Sequence, residues 1–158
     1  MSAPLNIYLR DHLVGANFAI ELLETWSDDA LLPGLKAWAA PLREEISADR
    51  DTLKEIIKRL DEPSHPVKEK LGWLAEKISR FKLSHRQPPE LAHFEGLEIL
   101  ALGILGKMAL WDALGILAAE DSRLSGFDYT RLREDAHAQH ARVESRRRQF
   151  VGPAFSNR

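Results

Sequence analysis

Residues 96–119 read GLEILALGILGKMALWDALGILAA. Drawn as a helix, this stretch is apolar on nearly every side, the pattern of an element surrounded by others. It is also long enough to raise the question of a membrane span. Glu98, Lys107 and Asp112 interrupt it, and charges inside a bilayer are costly. The expectation is a central helix of a bundle, with no membrane partner.

Helical periodicity continues outward in both directions. Toward the N-terminus, Leu5, Leu9, Ala16, Ile20 and Leu23 recur at helical spacing and predict a first helix from about Pro4 to Trp26. Leu42, Ile46, Leu53, Ile56, Ile57 and Leu60 predict a second from about Leu35 to Leu60, with Pro41 kinking it or resetting its first turn. Pro63 and Pro66 mark a stop. A shorter helix is expected from about Val67 to Phe81, with Leu71, Leu74, Ile78 and Phe81 on one face. The third long helix runs from near Glu90 to near Ala119. The fourth follows Asp128, a good N-cap, and runs to about Phe150, where Gly152 and Pro153 predict its end. Alternating strand patterns are nearly absent. The fold class expected is all-α.

Connection lengths suggest a topology. Short links make helices one and two antiparallel neighbours, and helices three and four likewise. The shorter helix between two and three can carry the chain back along the bundle, so that helices two and three run parallel. One long crossover between two helical hairpins is ferritin-like connectivity; a plain up-down bundle with a capping helix is the alternative.

Composition narrows the function classes. The 158 residues are 44% hydrophobic and 29% charged, which suits one folded domain. With 22 Lys+Arg against 24 Asp+Glu, the net charge of -2 provides no field to attract nucleic acid. There is no cysteine, which excludes disulfides, thiolate nucleophiles and Cys-held clusters. The opening residues MSAPLNIYLRDH lack the regions of a signal peptide. A cytoplasmic location is expected from both.

Several polar residues fall on apolar faces. Asp49 lies three after Ile46 and four before Leu53, and Glu45 stands four before it. Glu98 lies four before Leu102, and Glu95 three before Glu98. His12 lies between Leu9 and Ala16; His140 lies four after Ala136, with His137 three before it. A buried carboxylate must be paired, protonated or metal-bound. If the bundle closes, His12, Glu45, Asp49, Glu95, Glu98, Glu134, His137 and His140 form a set suited to a divalent metal such as iron, manganese or zinc. A hydrogen-bonded polar layer, paired with Arg50, Lys107 or Arg142, is the competing reading. A small-molecule pocket is the third. Trp26, Trp38, Trp73 and Trp111 are expected as core or interface anchors. Arg146, Arg147 and Arg148 are expected at a solvated helix end.

Three segments carry a resemblance: YLRDHLVGA at 8–16, KLGWL at 70–74 and EILALGILGKMALW at 98–111. They resemble a group of uncharacterised bacterial proteins of this length, placed near the ferritin-like superfamily. That resemblance implies a four-helix bundle over most of the chain and imports no activity. Ferritin-like di-iron proteins use a Glu from each of two helices and a Glu-x-x-His from each of the others. Here Glu134 with His137 matches, whereas Glu44 is followed by Ser47 and Glu45 by Ala48. Glu90 with His93 also matches but opens helix three. The expectation is a bundle without a complete di-iron site, non-catalytic and acting through association, commonly as a homodimer. The alternative is a metal-binding protein or oxidoreductase with a non-standard site.

Overall fold

A computed structural model describes residues 3–27, 32, 34–60 and 88–156. These form four long helices: α1 (Ala3–Ser27), α2 (Leu35–Leu60), α3 (Pro89–Leu117) and α4 (Tyr129–Phe155), with a short 3-10 turn at Ser122–Leu124. No strand occurs among the described residues. The fold is an all-α four-helix bundle. The helix expected over Val67–Phe81, together with Trp73, lies outside the described residues.

Aromatic contacts fix the helix directions. At one end, Trp26 closing α1 lies 6.1 Å from Trp38 opening α2 and 4.5 Å from His93 opening α3, ring centre to ring centre. Phe150, late in α4, lies 4.6 Å from the same histidine. At the far end, Arg59 of α2 donates to the Ser125 carbonyl and stacks over Phe127, just before α4 begins. Consequently α2 and α3 run parallel, while α1 and α4 run opposite to both. α1 packs on α2 and α3 on α4, as two hairpins.

The core is aliphatic. Leu9, Leu23, Leu42, Ile56, Leu97, Leu110 and Leu114 are all but fully buried, with Trp111 at 1% exposure. Every member of the α2 stripe read from the sequence is buried. Near the far end, α3 and α4 approach closely at Gly115, where an added Cβ would stand 3.3 Å from Tyr129 Cβ.

Element ends follow expectation closely, the end of α4 excepted. Pro41 lies within an α2 that starts at Leu35, and one missing N–H leaves the helix continuous. α4 runs through Gly152 and Pro153 to Phe155, because a proline that close to a helix end removes little of its hydrogen bonding. α3 ends at Leu117, slightly early, and its chain passes through the 3-10 turn before α4.

Asp128 caps α4 as its sequence position suggests, accepting from the Arg131 N–H at 3.0 Å. Asp128→Ala is expected to cost about 1 kcal/mol. In a thermal melt that is a fall in Tm of about 2–4 °C for a chain of this size. No shift in Tm would mean that the cap carries no weight.

Candidate functional site

The interior polar groups centre on Lys107. Its position, four before Trp111 and three after Ile104, turns it toward the core despite its charge. The ammonium lies 2.5 Å from Asp49 Oδ2 on α2 and also donates to Gln139 Oε1 on α4. Gln139 Nε2 in turn donates to Asp49 Oδ2 at 3.2 Å. Three helices thus meet through one closed set of hydrogen bonds. Asp49 is 8% exposed and Gln139 1%. Burial lowers the Lys107 pKa, and Asp49 opposes the shift by holding the charged form.

Asp49 and Lys107 also border a cavity of about 330 Å³ between α1, α2 and α3. Its lining changes character along the bundle. Toward the end where α1 begins, Tyr8, Asp11, His12, Asp49, Arg50 and Lys107 line it together with Leu53, Leu110 and Trp111. Phe18, Leu22, Ile46, Ile99, Leu100 and Ile104 line the other half. His12 fixes the level of this change: its Cε1 lies 3.9 Å from the Cβ position of Gly106, next to Lys107. The imidazole stands edge-on to Tyr8 at 4.6 Å, and burial lowers its pKa, which favours the neutral ring. The cavity is therefore mainly apolar, with hydrogen-bonding groups set among Leu53, Leu110 and Trp111 at one end only.

A second buried cluster lies at the Trp26 end. His93 is 2% exposed and sits among Trp26, Trp38 and Phe150. Arg146 Nε donates to its Nε2 at 3.0 Å, so the ring is neutral and Nδ1 carries the proton. Nδ1 is buried with no hydrogen-bond partner among the described residues. Burial, reinforced by the Arg146 charge, pushes the His93 pKa down to about 3. Arg146 also lies over the rings of Trp38 and Phe150. It is thus half-buried and engaged rather than at a solvated end, and Arg147 pairs with Glu144.

The eight metal-candidate residues separate. Asp49 and His12 border the cavity. Glu45 is exposed and pairs with Arg142. Glu98 is exposed and faces Arg147 at 3.9 Å. Glu134 and His137 are exposed, while Glu95 and His140 are half-buried. Among the described residues, no group of three or more His, Asp or Glu side chains is placed to hold an ion. The residues present do not fit a di-metal carboxylate centre: an ammonium occupies the inner carboxylate, and the Glu134–His137 pair faces water. Gln139 and the His93–Arg146 pair belong to buried polar clusters that the sequence reading passed over. Gln139 had a signal, since it stands between Ala136 and Val143 on the α4 stripe.

The outer face of α3 is the other departure. Leu102 and Ile116 are each 69% exposed, and Leu105 is also exposed. Glu98 shares this outward face, so the stripe it interrupts is not the core stripe.

No protein-family model, curated protein or solved structure matches the chain.

Proposed function

We propose that this chain is a helical bundle of ferritin-like connectivity that binds a small amphipathic molecule between α1, α2 and α3 and carries no di-metal centre. The parallel run of α2 and α3 supports the connectivity. The cavity is the observation that carries the binding function. At about 330 Å³ it falls within the range of small-molecule sites and exceeds the ~150 Å³ that suffices for benzene in an apolar core. Its apolar lining gives the ligand a place to bury hydrocarbon, and the hydrogen-bonding groups confined to one end orient the head.

Octanol is a suitable probe, having one hydroxyl and a short chain. Calorimetric titration is expected to give saturable one-to-one binding with a negative heat-capacity change. Gly103 borders the cavity, and an added Cβ there meets nothing within 4 Å. Gly103→Leu should therefore set an isobutyl group at the cavity edge from a Cβ that meets no neighbour, and raise helix propensity by about 1 kcal/mol. Octanol affinity should fall at least tenfold while stability holds. Equal affinity in a folded variant would remove the cavity from the function.

The outer face of α3 favours a second activity, association with another copy. Apolar side chains exposed in a row along a helix are characteristic of an interface, and two-fold dimers are the commonest closed assembly. Light scattering is then expected to give twice the 17.9 kDa chain mass, with Leu102→Glu restoring the single mass. A wild-type monomer at high concentration would end this reading.

A further inference from the structure

We infer that Lys107 is a carbonyl-capturing amine, and that the ligand class of the cavity includes short apolar aldehydes held as an imine. This rests on the binding function proposed above. The geometry supplies the parts that such a capture needs. Lys107 borders the cavity where its wholly apolar end meets the hydrogen-bonding groups Asp49 and His12. An aldehyde whose chain fills the apolar end thus places its carbonyl at the amine. Asp49 lies 2.5 Å from the nitrogen and can receive its proton.

The step balances without another reactant. The ammonium passes one proton to Asp49, and the amine lone pair adds to the carbonyl carbon. The carbonyl oxygen takes up protons and leaves as water as the C=N bond forms. Ammonium and aldehyde therefore give a protonated imine and one water, with the charge unchanged. That conservation of charge matters here. Asp49 is buried; it is neutral while it holds the proton and faces the protonated imine once it has released it, so capture strands no unpaired carboxylate. Gln139 Nε2 still donates to Asp49 Oδ2 once the nitrogen has fewer protons to offer.

The test is reductive trapping on the full chain. The protein is incubated with octanal and sodium cyanoborohydride, digested, and mapped by mass spectrometry. The expected result is one octyl group on Lys107, formed at least ten times faster than on the exposed Lys36, Lys54 and Lys58. Excess octanol should slow labelling at Lys107 and leave the exposed lysines unaffected. If octanol binds and Lys107 labels no faster than Lys36, the imine inference is overturned while the cavity function stands. If octanol does not bind and Lys107 is not selectively labelled, both fall.

Discussion

Lys107→Met is expected to destabilise the protein by about 3–5 kcal/mol, read as a fall in the urea midpoint with an unchanged slope. The loss arises from what remains. Methionine packs adequately, but Asp49 at 8% exposure then keeps a carboxylate with only Gln139 to bond it. The double variant Asp49→Leu with Lys107→Met removes both charges. It should regain most of the loss, because an apolar pair of similar volume commonly matches or exceeds a buried ion pair. With the Asp49→Leu single variant completing the cycle, a double variant that loses far less than the two singles summed is the signature sought. Additive effects of the two substitutions would mean that the pair is hydrated and of little energetic consequence.

The second large effect comes with acid. In the folded chain His93 titrates at about 3, against an ordinary value of 6.5. Above pH 6.5 both folded and unfolded chains hold it neutral, and its stabilising contribution is complete. As the pH falls from 6.5 toward 3, the unfolded chain takes up a proton that the native chain refuses. Stability is lost at about 1.4 kcal/mol per pH unit through this window, or about 3 kcal/mol between pH 7 and pH 4. Below pH 3 this residue adds no further loss. His93→Phe keeps a ring among Trp26, Trp38 and Phe150 and cannot titrate. The difference between wild-type and variant unfolding free energies should follow that slope over pH 4–6.5. Parallel curves would show that His93 is protonated in the folded state, contrary to its burial and its bond from Arg146.

How far the sequence reveals this molecule varies by helix. α2 alternates apolar and polar faces so regularly that every stripe residue is buried as its spacing implies. α3 defeats the same reasoning because it is apolar all round. Periodicity cannot then say which side faces inward, and the spacing of Glu98 and Leu102, which suggests an inner face, belongs to the outer one. α4 presents the opposite difficulty. Its buried face is only Tyr129, Ala136, Gln139 and Val143, too sparse to orient the helix, so Glu134 and His137 share a spacing but look outward. Asp49 was legible because a charge stood in an aliphatic stripe. Its pairing with Lys107 was one of several options until the helices were placed. The bond from Arg146 to His93 spans too much of the chain for local pattern to reveal it, and it depends on which ends of the bundle meet.

The two-hairpin arrangement has a consequence for motion. Contacts within each hairpin join near neighbours in sequence, which favours fast and independent zipping of each pair. Contacts between the hairpins join distant residues and include the bonds of Asp49 to Lys107 and to Gln139 and the Glu45–Arg142 pair. Such a chain has a natural plane of partial opening, along which one hairpin can lift from the other while each retains its own backbone hydrogen bonds. The cavity borders that plane, so a guest could enter through a breathing step far cheaper than global unfolding.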